Sequence, residues 1–448
     1  MADLSLITSR FSDALLRGVG AYFLGSGVSV CSKLPDWSGL LEPFATTLGL
    51  TLQMDDDLPL IAQHVVNGSV GNRGPLVGEF RRRLGGSHPL NRYHEALQQT
   101  NVRTIWTTNF DTLIEDALAK DQVAVRTSDA DLTSGPDDHD IEVLKMHGCI
   151  RRSSPSQLVI TAEDYEDFAI QRPAFAQRLR HDLLHRTLLF VGYSYRDPNI
   201  RTLLVEARRL AQRATREHLM LLRKETNSPG EELRQRLWTV DLGRVGIRCV
   251  LADSFREIED ALSVIALKSR GRSVFATGSH TGNNPLAEEI GKLLAGVEPP
   301  ILMLDGQSTG TGRQVMDAFG TTCVTGKKDH RAHIRYFSNP YSVNANFASD
   351  PAYLDTLKKW RASLLRATHT MLVFNGGMGT EAEVALARHF RCQIIPVPET
   401  SSDLAARLLQ DTDIEQHLRK IDPGYLSKAT SRSLTAQDIV DCIIKSFQ

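Results

Sequence analysis

Short apolar runs recur along this chain, and most of them end in glycine or a small polar residue. AYFLGSG (21–27) is the first. VRTIWTTNFD (102–111), IEVLKMHG (141–148), TLLFVGYS (187–194), HLMLL (218–222) and GIRCVLA (246–252) follow. Helically patterned segments separate them. One stretch runs from about 37 to 100 with few strand signals; DPNIRTLLVEARRL (197–210) and FREIEDALSVIALK (255–268) come later. Strands that are apolar on both faces need cover on both faces, and helical connections let them run parallel. The pattern halts at the polar KSRGRS (268–273) and then restarts. RSVFATGS (272–279), PILMLDG (300–306), AHIRYFS (332–338), the head of HTMLVFNGGMGTEAEVALARHF (369–390) and CQIIPVP (392–398) form the second series. Asn284 with Pro285, and Asp350 with Pro351, open helices in it as N-cap and first-turn proline. LTAQDIVDCIIKSF closes the chain as a helix. The expected fold class is α/β: two doubly wound parallel-sheet (Rossmann-like) domains, residues 1–268 and 272–448, the first with a helical insertion.

Composition narrows the function classes. A chain of 448 residues has room for two to four domains of ~100–200 residues. Its net charge of −1 gives no basic field, so neither nucleic acid nor an anionic membrane surface is an expected partner. The six cysteines are scattered, and the closest pair, Cys392 and Cys442, is 50 positions apart, so no zinc-ligand spacing is present and no zinc is expected. Such thiols suit a reducing cytoplasm. Leu4, Ile7, Phe11 and Leu15 read as an amphipathic helix rather than a signal peptide, and no apolar run approaches the ~18 residues of a membrane span.

In open α/β sheets ligands bind outside the carboxyl ends of the strands. In the first half those ends carry Gly25, Ser26 and Gly27 with Ser29, then Thr108 and Asn109 with Asp111, then His147 before Gly148, then Gly192 with Ser194 and Asp197. Glycines let backbone N–H groups approach phosphate, and hydroxyls, an amide, an imidazole and carboxylates suit a ribose. Each set has a plainer reading. GSGVS is a tight turn, Asn109 and Asp111 can cap a helix starting at Leu113, His147 can be a structural histidine, and Ser194 with Asp197 can be a cap pair. Their shared position at strand ends of one domain favours the site.

GSGVS…LPDW, TTNFD, KMHG and GYSYRD resemble, in sequence and order, the NAD-binding domain of the sirtuins, in particular the sirtuin-like NAD-cleaving domains of bacterial immunity, over about residues 8 to 265. The resemblance implies a glycine turn at Gly25, Ser26 and Gly27 holding the diphosphate, Asn109 and Asp111 at the nicotinamide ribose and amide, and His147 as base. Sirtuin deacetylases carry a four-cysteine zinc module soon after the His-Gly motif. Cys149 here has no neighbour to pair with, so hydrolysis of NAD+ is the expected fate, with no cofactor beyond NAD+ as substrate. NAD-dependent deacylation, ADP-ribosyl transfer or a non-catalytic nucleotide-binding module are the alternatives.

In the second half NGGMGTEAE (375–383) resembles the PGGxGTxxE loop of the SLOG and lysine-decarboxylase-like nucleotide-binding family, with Asn375 in place of proline. That likeness implies an activator site at Gly278, Ser279, Asn284, Arg361, Gly376, Gly377, Glu381 and Glu383. Glu381 and Glu383 are alternatives for the acidic role, as are Arg361 and Arg366 for the basic one. A sirtuin-like domain followed by a SLOG domain resembles the effectors of the Thoeris antiphage systems. This implies an NAD+ hydrolase switched on by a cyclic ADP-ribose isomer that a partner TIR-domain protein makes, in a homo-oligomer, a tetramer by resemblance.

Overall fold

The computed structural model describes residues 4–53, 56–118, 123–134, 141–193, 198–210, 216–340 and 350–447. The chain divides into two compact units, Met1–Ser269 and Arg270–Gln448.

The first unit is built on β1 (Gly20–Leu24), β2 (Thr104–Thr107), β3 (Val123–Arg126), β4 (Ile141–Lys145), β5 (Thr187–Val191), β6 (His218–Arg223) and β7 (Ile247–Ala252). They form one sheet in the order β3-β4-β2-β1-β5-β6-β7, and every described pairing is parallel. β1 is buried at all five positions. Alternate residues feed two cores: Tyr22, Leu24, Ile105 and Val143 face one, and Ala21, Phe23, Trp106 and Leu144 the other. This is the two-faced burial that continuous apolar strands require. β3 is an edge strand that the apolar pattern does not announce, because its VAVR is only half-buried on alternate residues.

The stretch 37–100 folds as four helices, Trp37–Thr47, Leu58–Gly68, Gly74–Leu84 and Arg92–Gln99. Tyr93, Ala96 and Leu97 of the fourth join the core with Tyr22 and Ile105. The first three enclose a third core with Phe80, Leu76 and Leu41, to which Phe110, Leu113, Ile150, Leu158 and Ile160 contribute. Polar ties fix it further. Arg73 forks onto Asp164 at 2.8 and 2.7 Å, and Arg151 donates to the carbonyls of Gly85 and Gly86.

The second unit has β8 (Ser273–Thr277), β9 (Leu302–Asp305), β10 (Ile334–Tyr336), β11 (Thr370–Val373) and β12 (Gln393–Pro396), in the order β10-β9-β8-β11-β12, all parallel. Asn284 and Asp350 cap their helices as expected, accepting from Ala287 and Ala352 N–H. Three helices between Leu404 and Ser431 lie beyond what the sequence pattern signalled. In each sheet the strand order reverses beside the first strand of the unit: between β1 and β5, and between β8 and β11. That switch point is where a crevice opens in doubly wound sheets.

Histidines are sealed into both units. Burial holds His218 and His94 down to about 4, and burial with the nearby Arg270, His417 and Arg272 holds His369 down to about 3. A depressed folded pKa contributes stability above the unfolded value of ~6.5, and that stability is lost as pH falls towards the folded value. The melting temperature is therefore expected to hold near neutrality and to fall as pH drops from 6.5 to 4. His218→Asn keeps an acceptor for the Leu188 N–H that Nδ1 now accepts, so its thermal melts should show a shallower fall across that window than wild type. An equal fall would show that His218 does not contribute.

Candidate functional site

At the switch point of the first unit two backbones touch. Gly25 N–H donates to the Val191 carbonyl at 3.0 Å and Gly27 N–H to the Gly192 carbonyl at 2.9 Å. A Cβ on Gly25 would stand 2.4 Å from the Gly192 oxygen, and Gly192 has φ +62. These positions require glycine. Ser26 forms the N-cap of the one-turn helix Gly27–Val30 without a side-chain bond, which leaves its hydroxyl at the turn.

The turn after β2 meets this loop. Thr107 Oγ1 donates to the Leu24 carbonyl and accepts the Asn109 N–H. Asn109 Nδ2 donates to the Gly25 carbonyl at 3.1 Å and to Ser29 Oγ at 3.2 Å. Ser29 Oγ in turn donates to Asp111 Oδ2 at 2.9 Å, while Asp111 Oδ1 accepts the Leu113 N–H at 3.0 Å. Asp111 therefore combines both readings: it supports the start of the helix Leu113–Ala117 and belongs to the polar cluster. Ser29 Oγ joins the amide of Asn109 to the carboxylate of Asp111. Thr108, between Thr107 and Asn109, is half-buried.

Asn109 Oδ1 is the open end of this network. It is buried and, among the described residues, accepts no hydrogen bond. That oxygen has acceptor capacity to spare for a water or a ligand hydroxyl.

His147 follows β4 and stands among rings. Tyr165 Oη lies 3.4 Å from its Nδ1, and the Phe110, Tyr165 and Phe168 rings surround it. Phe110 sits between His147 and the helical insertion, packing on Trp37 and Phe80 as well. Ser29, Asn109, Asp111 and His147 are 2, 5, 5 and 3% exposed, so the cluster is closed off from solvent in this conformation. Ser194 and Asp197 lie outside the described residues.

Two participants were not signalled by the strand-end pattern. Thr107 belongs to the strand itself, yet its hydroxyl joins β1 to the Asn109 turn. Lys145 is the last residue of β4, fully buried, with Nζ donating to the Asp111 carbonyl and 3.1 Å from Glu115 Oε1. Burial opposes its charge, but the Glu115 and Asp111 charges outweigh it and hold the ammonium above the ordinary lysine range.

The second unit repeats the arrangement with other chemistry. Gly377 N–H donates to Ser279 Oγ at 3.0 Å, bringing the loop after β11 onto the turn after β8. A Cβ on Gly376 would stand 3.1 Å from Ser279 N. Gly278 has φ +156 and packs against Phe374. Beneath the loop Glu383 accepts from Thr277 Oγ1 and from Gln307 Nε2 at 2.5 and 3.1 Å, and Arg361 Nε lies 3.6 Å away, too far for a hydrogen bond. Burial keeps the Glu383 carboxyl above its ordinary range, with Thr277, Arg361 and Gln307 offsetting part of the shift. Arg361 Nε is buried and, among the described residues, has no hydrogen-bond acceptor.

The open alternatives separate here. Glu381 is exposed and pairs with Arg407, so Glu383 is the carboxylate of the cluster. Arg366 is buried with its guanidinium over Phe390, whereas Arg361 reaches the glycine loop, 3.2 Å from a Cβ built on Gly379. Asn284 is committed as a cap, and its Nδ2 donates to Glu399 at 2.6 Å rather than to any of these groups.

Among the described residues no three histidines, cysteines or carboxylates gather as a metal site, and no helix is long and apolar enough to cross a membrane.

A SIR2-like domain family matches residues 103–241. The NAD(+) hydrolase ThsA of Bacillus cereus (strain MSX-D12) is 33% identical over 288 residues, 61% of this chain and 59% of that protein. The match thus spans less than two thirds of the B. cereus relative's length. The NAD(+) hydrolase ThsA of Enterococcus faecium is 30% identical over 380 residues, 80% of this chain and 77% of that protein. For the NAD(+) hydrolase ThsA of Acinetobacter baumannii (strain 532279) the identity is 27% over 427 residues, 88% of each chain. With most of its length aligned to proteins of one kind across both units, this chain belongs to the ThsA family.

Proposed function

We propose that this protein hydrolyses NAD+ to nicotinamide and ADP-ribose as an effector of Thoeris-type antiphage defence. The observation that carries the reading is the unpartnered Asn109 Oδ1, fixed by two donated hydrogen bonds at the end of β2 and followed by Asp111. His147 lies two residues beyond the adjoining strand, β4. The nicotinamide of NAD+ is a cationic leaving group, and its departure develops an oxocarbenium-like charge on the ribose. Asn109 Oδ1 accepts from a ribose hydroxyl or from the attacking water. Asp111 stabilises the developing positive charge. His147 removes the proton from that hydroxyl or water, and water completes ADP-ribose with release of one proton. The glycine turn at Gly25–Gly27 receives the diphosphate on backbone N–H groups, as at other strand-to-helix turns.

The second unit is, on this reading, a SLOG-type sensor. Gly278, Ser279, Gly376 and Gly377 face the diphosphate of a cyclic ADP-ribose isomer, Arg361 pairs with it, and Glu383 accepts from its ribose hydroxyls. The isomer comes from a TIR-domain protein, and the effector works as a homo-oligomer in the cytoplasm. The burial of Ser29, Asn109, Asp111 and His147 supports a resting enzyme whose substrate site is closed until the sensor is filled.

NAD+ turnover by the full chain, with a panel of cyclic ADP-ribose isomers and no acyl or protein acceptor, tests the first part. Asn109→Ala and His147→Ala should each lose at least ~10²-fold, the scale of a positioned proton-transfer group. Wild-type rates in both would remove the assignment, and nicotinamide release that depends on an added acceptor would point to transfer.

The sensor is tested on Arg361→Ala in the full chain. Calorimetry should show loss of isomer binding, and NAD+ turnover should no longer rise on its addition. Undiminished binding would place the activator elsewhere.

A further inference from the structure

We infer that Lys145, through its pairing with Glu115, is a positioning residue for NAD+ cleavage: it locks the Asn109–Asp111 turn to the strand that delivers His147. The inference rests on the reading of the site given above and adds a residue to it.

Lys145 has no packing reason to be a lysine. Its side chain is fully buried, and an interior ammonium costs several kcal/mol unless well paired. An apolar side chain of similar volume would fill the same space. What an apolar residue cannot supply is the bond to the Asp111 carbonyl. Its second partner, Glu115, lies four residues further along the same segment, on the helix Leu113–Ala117. One ammonium thus grips the turn and the helix behind it. Cys149 Sγ, 4.0 Å from Glu115 Oε1, completes the polar surroundings named for this pair.

The placement explains why the grip matters. Lys145 ends β4, and His147 is two residues on. Asp111 has both carboxylate oxygens engaged, by Ser29 Oγ and Leu113 N–H, and its carbonyl by Lys145. Asn109 is held by Gly25 and Ser29 on the β1 side. Besides Lys145, the turn and the His147 segment are joined by backbone bonds, Met146 N–H to the Thr107 carbonyl and Ile150 N–H to the Phe110 carbonyl, and by the Phe110 ring beside His147. A shift of about 1 Å in such a constellation can cost ~10²-fold in rate.

The test is the double variant Lys145→Met/Glu115→Leu in the full chain, which removes both buried charges together. Such a replacement is close to neutral for stability, so its melting temperature should stay near that of wild type. Its kcat should nevertheless fall at least ~10-fold, with KM within ~3-fold, because positioning rather than binding is lost. A double variant that melts like wild type and turns over like wild type overturns the inference, since Lys145 would then serve only to neutralise Glu115. A second comparison does not depend on that variant folding. With Glu115→Gln as the common background, Lys145→Arg keeps a charged donor for the Asp111 carbonyl and should exceed Lys145→Met in kcat by at least ~3-fold at equal folded fraction, and equal rates overturn the inference. Asn109→Ala run in parallel separates the two levels. If it is inactive while the double variant is fully active, only the positioning role fails; if it matches wild type, the reading of the site fails and takes this inference with it.

Discussion

The contact between the glycine backbones after β1 and β5 is the constraint on which the first unit depends. Each of Gly25, Gly27 and Gly192 sits where a Cβ would meet main-chain atoms of the opposite loop at under 3 Å. Main chain cannot retreat as a flexible side chain can, so the two loops approach this closely only without side chains. Their closeness puts the Gly25 carbonyl within reach of Asn109 Nδ2, and that bond leaves Oδ1 of the same amide as the free end. The second unit obeys the same rule. A Cβ on Gly310 would stand 2.3 Å from the Gly278 oxygen, where β8 hands over to its turn. Similar main-chain geometry thus underlies both crevices, although the chain uses no repeated sequence to make it.

Why some of this could be read from the sequence and some could not follows from the forces involved. Strands buried on both faces must be apolar almost throughout, so β1, β2, β4 and β5 announce themselves, and so do the polar residues that interrupt them at their ends. β3 does not, because an edge strand with alternate half-buried positions needs no such run. Lys145 is hidden for the opposite reason: it stands inside an apolar run, where a charge reads as an interruption rather than a tie. Thr107 looks like ordinary strand threonine until its hydroxyl is seen bonded to both Leu24 and Asn109. Glu381 and Glu383 are two positions apart on a helix, about 200° around its axis. Sequence offers both, and only the packing of that helix decides which faces inward. Asn284 shows the converse. Its cap role was legible, and a residue engaged by Ala287 and Glu399 has little left to offer a ligand.

The burial of the first cluster has a physical origin in the helical insertion. Phe110, the residue between Asn109 and Asp111, is part of the insertion's core as well as a neighbour of His147. On the proposed reading, opening the cluster to a dinucleotide disturbs that core or the ties around it, such as the Arg73–Asp164 fork and the Arg151 bonds. Turning a 1:99 mixture of open and closed states into 99:1 takes ~5.5 kcal/mol of differential binding. Two or three charge-assisted hydrogen bonds at ~1.5–3 kcal/mol each reach that figure. On the proposed reading, an activator that satisfies Arg361 and Glu383 in only one state is sufficient, and no more elaborate device is required.

The two crevices differ in what they can do to a bound nucleotide, and the difference is chemical. Both place a buried carboxylate against a hydroxyl on or just beyond the first strand of the unit, Asp111 against Ser29 and Glu383 against Thr277. In the first, an imidazole follows the neighbouring strand, and the adjoining amide has an acceptor that bonds to none of the described residues. In the second, the carboxylate has a guanidinium 3.6 Å away, and no imidazole is among the groups described around it. Arginine stays charged throughout the working range and cannot serve as a base. A site with a carboxylate, an amide acceptor and a proton acceptor can carry charge through bond cleavage. One with a carboxylate and a fixed cation can hold ribose hydroxyls and phosphate. On the proposed reading, the same backbone frame serves catalysis in one unit and recognition in the other.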